Sequence, residues 1–306
     1  MFHGLTYPGI RCILENLDVS KRILLASRAP AIQRVDKSIP FYVKNVHINE
    51  NYFFLNDISV VYIPRTSELL FEDTHKEICR QVEPHLEKKE ILEKMFNYYL
   101  GGRKNIYLDH VLLDSPMSEL SLPPNLKLTI NKMETRFCDF RDFLPIINAR
   151  SFPLKEFTAR DNKLVFLDHP VVHSAEKIVF YTNAINMAGM FHDINKLPNK
   201  NILIKFDSSD VIAILNVIGN WLNGRKEVGT KYIFSSRFKT NIDEVLAELQ
   251  LHAEHFKVSG TPYFRIPIDV QSSIQVNGIV VNEDGVLVSQ LVTEVISTKK
   301  SLEGSK

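Results

Sequence analysis

From Gly101 onward, short runs rich in β-branched and aromatic residues take turns with helix-like runs. NIYLDHVLL, NLKLTI, PLKEFTA with LVFL, KIVFYT, NILIKF and TKYIFSS read as strands. Between them stand DFRDFLPII, HPVVHSA, NMAGMFHDI and SDVIAILNVIGNWLNG, and TNIDEVLAELQLHAEHF follows the last. Strands separated by crossover helices lie parallel, which excludes a purely antiparallel or all-helical fold. Successive strands recur at roughly 20 to 28 residues, the period of leucine-rich-repeat-like units, each of which buries its apolar face only by stacking on its neighbours. The strict repeat consensus with its asparagine ladder is absent. The expected fold class is therefore α/β with an irregular leucine-rich-repeat-like layer, and an ordinary open α/β sheet is the competing architecture. The best-defined helix spans 210–223: Val211, Ile214, Leu215, Ile218 and Leu222 form one stripe, Ser209 or Asp210 caps it and Gly224 ends it.

The flanks differ. Ile10, Ile13, Leu14 and Leu17 fall at helical spacing, with Thr6 as cap and Pro8 in the first turn. Asp18 caps a second short helix carrying Val19, Ile23, Leu24 and Ala26, which Ala29–Pro30 stops; a third turn carries Ile32 and Val35. Three helices this short cannot bury enough surface alone, so they meet either the rest of the chain or a partner. FYVKNVHI, YFFL and SVVYI follow as a small sheet, and residues 64–84 carry no clear pattern. A helix over 84–100 presents Ile91, Leu92, Met95, Phe96 and Tyr99 on one side and closes at Gly101–Gly102. After Tyr263, FRIPID, SSIQV, GIVVN and VLVSQLV predict a β-meander capping the layer, with Asn277–Gly278 as a type I′ hairpin and Glu283-Asp284-Gly285 as a second turn. Pattern changes divide the chain into 1–40, a helical unit; 41–100, a β-rich segment with its linking helix; and 101–306, the α/β domain.

Thirty-seven basic and 36 acidic side chains leave a net charge of +1, so no global field draws nucleic acid or an anionic membrane, and neither is expected as a partner. No apolar run approaches the ~18 residues of a spanning helix, and MFHGLTYPG lacks the flank and core of a signal peptide. With three scattered cysteines and no Asn-x-Ser/Thr acceptor, a cytoplasmic or nuclear setting is expected. No phosphate loop, dinucleotide turn, nucleophile elbow or Cys-x-x-Cys pair occurs, so no cofactor and no catalytic residue is assigned. His169 and His173 share a spacing that suits a metal, but Pro170 lies between them and no third ligand is in pattern, so no metal is assigned; His252 and His255 read as solvent-edge residues. GGRK (101–104) and NGRK (223–226) read as cations near helix C-termini followed by solvated loops, and Trp221 as a packing residue. An enzyme whose carboxylates converge only in three dimensions stays as a third function class.

The opening LTYPGIRCILENLDVSKRILLASRAP resembles an F-box through Leu5, Pro8, Ile10, Ile13, Leu14, Leu17, Ile23, Leu24 and Arg28. More closely, the chain resembles the nematode-expanded families of F-box-like proteins with an F-box-associated C-terminal domain. AIQRVDKSIPFYVKNVHI, YYLGGRKNIYLDHVLL, LPPNLKLTI, PLKEFTA, HPVVHSAEKIVFY, LPNKNILIKF and NWLNGRKEVGTKYIF carry that likeness. The F-box is degenerate: SRAPAIQR stands where the motif has a tryptophan. The resemblance implies a substrate-receptor subunit of a cullin-RING ubiquitin ligase. Those nine residues would hold the cullin-linking F-box adaptor, and the C-terminal domain would hold a target protein of unknown identity. A protein-binding repeat module without any ubiquitin link is the alternative. The two readings differ in whether Ile13, Leu14, Leu17 and Leu24 stand open or are covered by their own chain.

Overall fold

Short amphipathic helices open the first compact unit (Met1–Leu154): α1 (Tyr7–Asn16), α2 (Val19–Arg28) and α3 (Pro30–Ser38). The computed structural model describes every residue except 1–6, 74–75, 83–85, 121, 124, 161–165, 183–186, 208–210, 225 and 299–306. Leu5, the Thr6 cap, the Ser209 or Asp210 cap, Arg225 and Leu164–Val165 of LVFL thus lie outside the described residues. Asp18 caps α2 as expected, its Oδ1 accepting from the Lys21 N–H at 2.9 Å. Pro8 sits in the first turn of α1, where its missing N–H leaves no bond unmade.

The strands of this unit are β1 (Phe41–Ile48), β2 (Tyr52–Leu55), β3 (Ile58–Ile63), β4 (Glu68–Asp73), β5 (Lys76–Gln81), β6 (Ile106–Leu113) and β7 (Leu128–Thr135), with α4 (Lys88–Tyr99) crossing from β5 to β6. Their order is β7-β6-β1-β2-β3-β4-β5; β1, β6 and β7 are parallel, and β1 to β5 form an antiparallel meander. The patternless stretch 64–84 therefore holds two strands. They lie at the edge of the meander, where none of their described residues is buried, so no core face imposes the alternation that sequence reading depends on. All five stripe residues of α4 are buried, as their spacing predicts. The boundary expected at 100/101 falls inside this unit, because β6 returns to pair along the whole of β1. DFRDFLPII forms a 3-10 helix over Phe140–Ile146, with Pro145 denying an α-helical bond.

β1, β6 and β7 share an irregularity. Val43, Leu108 and Ile130 pair in register, as do Asn45, His110 and Lys132, but Lys44, Asp109 and Asn131 between them are skipped. Inward-facing residues accordingly shift phase by one after that level, from Leu108 to Val111 and from Ile130 to Met133. Asn56, at φ 52°, secures the break by accepting the N–H of both Lys44 and Asn45 at 3.0 Å.

The second unit (Lys155–Lys306) holds β8 (Glu156–Ala159), α5 (Pro170–Ser174), β9 (Ile178–Thr182), α6 (Met187–Ile194), β10 (Asn201–Phe206), α7 (Val211–Gly224), β11 (Lys231–Ser236), α8 (Lys239–Ala253), β12 (Tyr263–Pro267), β13 (Ser272–Glu283) and β14 (Val286–Ser297). β8 to β11 are parallel and adjacent in chain order, and β14 pairs antiparallel with β11, followed by β13 and β12. α6 packs on α7 and α7 on α8, so these crossovers line one face. Phe191 of α6 meets Phe234 of β11 edge-on at 5.8 Å, which identifies the Phe234 side as the helix-covered one. Phe166–Leu167 form a turn, not the expected strand.

Asn277–Gly278 makes no hairpin. It lies inside the continuous strand β13, paired with Val292 and Leu291. A Cβ at Gly278 would stand 2.7 Å from Leu246 Cδ1, so glycine is there to let α8 approach the sheet. The turn is Asp284–Gly285, both at positive φ (50° and 86°), with Asn282 Oδ1 accepting the Gly285 N–H at 2.8 Å.

Candidate functional site

The N-terminal helices have an inner and an outer side. Leu14 (1% exposed), Val35 and Ile39 form a small core, with Ile10, Leu17 and Ile32 packed against it. Ile23 and Val19 of α2 are buried as well. On the outer side Tyr7, Pro8, Ile13 (43% exposed), Leu24 (48%), Leu25 (38%) and Arg28 face solvent. Of the nine residues expected to hold an adaptor, the structure thus offers Pro8, Ile13, Leu24 and Arg28, leaves Ile10 and Leu17 half-buried, and withdraws Leu14 and Ile23 into the chain's own core. The reason is helical phase: one face of each helix must pay the desolvation gain that holds three short helices together, and only the remaining face is free.

A buried ion triad anchors these helices to the sheet. Asp36 (0% exposed side chain) accepts from Arg22 Nε and Arg103 Nη2. Arg22 also donates to Asp36 O at 2.9 Å and Pro40 O at 2.7 Å, and Arg103 Nε donates to Tyr99 O at 2.9 Å. The Arg103 guanidinium lies 3.8 Å above the Phe41 ring centre. Burial pushes Arg103 below its ordinary value, and Asp36 opposes the shift. The solvated loop expected at GGRK is therefore corrected for Arg103: it does serve a helix C-terminal carbonyl, but from the interior. No local pattern announces Arg22, Asp36 and Arg103 as a set, because they are brought together from separate parts of the chain.

Beside the α1–α2 turn, the first unit has an open groove of about 570 Å³. Leu17, Asp18 and Val19 form one rim, Tyr42, Tyr107 and Thr129 lie across three strands, and Lys44, Asp109 and Asn131 mark the phase break. Tyr42 and Tyr107 stack at 4.9 Å and 16°. Its two carboxylates are engaged within the fold: Asp18 with Lys21, and Asp109 with Asn131 Nδ2 at 3.0 Å. The phase slip is legible in FYVKNVHI, IYLDHVLL and LTINKMET once the three are aligned, and it is the signal that sequence reading passed over.

A second polar cluster closes the ends of β1, β2 and β6. His47 Nε2 and Tyr52 OH both lie against Asp114 Oδ2, at 3.2 and 2.8 Å, and 3.0 Å from each other. Burial lowers the His47 pKa despite Asp114, and burial followed by Asp114 pushes Tyr52 up to about 12. Cys138 donates to Leu113 O at 3.3 Å, and burial pushes its thiol up to about 12, far from the thiolate a nucleophile needs. The His47 shift predicts a pH dependence. The unfolded imidazole takes a proton near its ordinary ~6.5 while the folded one resists, so stability falls as pH drops below that value. Urea midpoints at pH 7.5 and 5.5 should differ more in the native chain than in His47→Gln; an equal difference in both removes His47 as the source.

Elsewhere, His169 Nδ1 accepts the Val171 N–H at 3.2 Å and caps α5, and Trp221 is buried edge-on to Tyr232 at 4.6 Å. Among the described residues no group of three or more His, Cys, Asp or Glu is placed to hold a metal, and no helix is long and apolar enough to cross a membrane.

Residues 87–238, just under half of the chain, match a family described as a domain of unknown function (DUF3557). No curated protein and no solved structure matches the chain.

Proposed function

We propose that the chain is a non-catalytic receptor that joins two proteins: a cullin-linking F-box adaptor at the outer side of α1 and α2, and a target protein at the C-terminal domain. The carrying observation is the exposed set Ile13, Leu24 and Leu25 on helices whose inner faces are already satisfied by Leu14, Val35 and Ile39. Each outer side chain is roughly half exposed, so covering it yields about half of the ~1.5 to 3 kcal/mol of full burial, before association costs are met. In this reading the chain performs no chemistry and acts by raising the local concentration of a target near a ubiquitin donor.

The layout of the second unit supports the target-binding half. Parallel strands in chain order with crossovers on one face are what a leucine-rich-repeat-like layer requires. The face opposite Phe234 carries the register row Tyr181, Lys205, Ser235 and Gln290. Arg160 stacks 3.7 Å over Tyr181, and Lys205 pairs with Glu283 at 2.7 Å. Within that row Tyr181 and Lys205 are partly exposed and can meet a polar protein surface, whereas Ser235 and Gln290 are buried.

Pull-down with purified adaptor tests the first half. Ile13→Asp with Leu24→Asp changes only exposed positions, so the fold is expected to persist while adaptor capture drops at least tenfold. Capture unchanged by the double variant would overturn the assignment. Leu14 is unsuitable for this test, since a carboxylate in the Leu14–Val35–Ile39 core would unfold the helices. Burial of Leu14 and Ile23 favours a second reading, a binding module without a ubiquitin link whose helices complete the first unit. A native chain that captures no adaptor at all supports that reading.

A further inference from the structure

We propose that the outer edge of β13 is a self-association surface, at which Gly278–Asn282 pair antiparallel with the same residues of a second copy of this chain. This does not depend on the receptor reading. β14 pairs with β13 along the whole of Ser272–Glu283, but β12 covers the other side only from Ser273 to Asn277. The ladder ends there because the residue before Tyr263 is Pro262, which has no N–H to donate. Past that point, among the described residues, no backbone hydrogen bond engages the side of β13 that faces away from β14. Alternate N–H and C=O groups of Gly278–Glu283 are therefore free along an edge.

Composition sets this edge apart. β5 reads KEICRQ and β12 reads YFRIP, so each carries charges or a proline of the kind that keeps an edge strand from pairing with another chain. GIVVN (278–282) has neither. Val280 (57% exposed) lies diagonal to exposed Leu287 on the helix-covered side, and exposed Ile279 faces the other way. A second copy is the occupant because the edge matches itself. A two-fold axis normal to the sheet keeps the faces aligned, and with Val280 on that axis Val280 meets Val280 while Ile279 meets Val281 on either side. Moving the axis to Ile279 sets Val280 against Gly278, and moving it to Val281 sets Ile279 against Glu283. The Val280 register thus places β-branched pairs at every central level. No like charges meet in it: Glu283 stands opposite Asn277 and is held by Lys205 at 2.7 Å. Such a dimer duplicates every site on the chain, which raises the avidity for any repeated target.

The test is sedimentation velocity of the full chain across a wide concentration range, paired with hydrogen exchange of the β13 amides. Concentration-dependent growth from one chain to two, with added protection of the Gly278–Asn282 amides at high concentration, is expected. Val280→Lys and Val280→Glu each place like charges on the axis at an already exposed position, and each should weaken self-association at least tenfold. An equimolar mixture of the two variants sets lysine against glutamate and should restore pairing, which also shows that both are folded. A native chain that stays single at every concentration overturns a second copy as the occupant and leaves the edge to a strand of another protein. Protection of these amides that does not change with concentration overturns it too, since the chain's own residues then cover the edge. Self-association unchanged in both variants overturns β13 as the interface, and a mixture that stays single overturns the Val280 axis.

Discussion

Asp36→Ala should destabilise the first unit by about 3 to 5 kcal/mol, the largest effect expected of any single polar substitution in the chain. In the native fold one carboxylate answers two guanidinium groups whose side chains are 5% and 3% exposed. Removing it leaves two like charges buried near one ring with no anion between them, and the cost of that arrangement is desolvation left uncompensated. Removing Arg103 instead, as Arg103→Met, leaves Asp36 paired with Arg22 and should cost less, though Tyr99 O loses its donor. Urea unfolding of both variants provides the comparison. A loss below about 1 kcal/mol for Asp36→Ala would mean that water reaches the triad and that the anchor is weaker than its burial implies. Because the triad fastens α2 and α3 to β1 and to the end of α4, the alanine variant should also lose adaptor capture in parallel with its lost stability. Ile13→Asp with Leu24→Asp should lose capture alone.

Trp221→Ala should cost about 3 to 5 kcal/mol in the second unit. Trp221 is 1% exposed and meets Tyr232, itself fully buried, edge to face. Truncation opens a cavity that α7 and β11 cannot close without moving the Tyr232 hydroxyl from Ile194 O, 3.1 Å away. Trp221→Phe makes a sharper companion. The indole Nε1 has no partner, so the phenylalanine variant loses only ring volume and sheds an unsatisfied donor. Thermal melts should rank native, then Phe, then Ala; a Phe variant as unstable as Ala would show that the N–H bonds to something the fold supplies, such as water.

Much of the secondary structure was open to reading from the residues. The stripe of α4, the Asp18 cap, the strands of the parallel layer and the closing meander each follow from spacing or from a single capping side chain, whereas α7 forms where expected but buries Ala213, Ile214, Val217, Ile218 and Trp221 and leaves Leu222 exposed. The failures have a common character. Asn277–Gly278 satisfies every local rule for a hairpin, yet Gly278 serves an approach by Leu246 from a distant helix. Arg103 reads as a solvated cation after a glycine pair, yet Asp36 draws it inside. β4 and β5 escape notice because an edge needs no strict alternation.

The candidate site divides along the same line. Sequence periodicity alone determined that α1 and α2 are amphipathic, since i, i+3, i+4 spacing is a property of the helix and needs no neighbour. Only the tertiary structure decided that Leu14 and Ile23 turn inward while Ile13 and Leu24 stay in solvent, and that β12 stops short of Gly278–Asn282. Local chemistry is written in adjacent residues, whereas burial, ion pairing and orphaned hydrogen bonds depend on groups far apart in the chain whose meeting is set by packing.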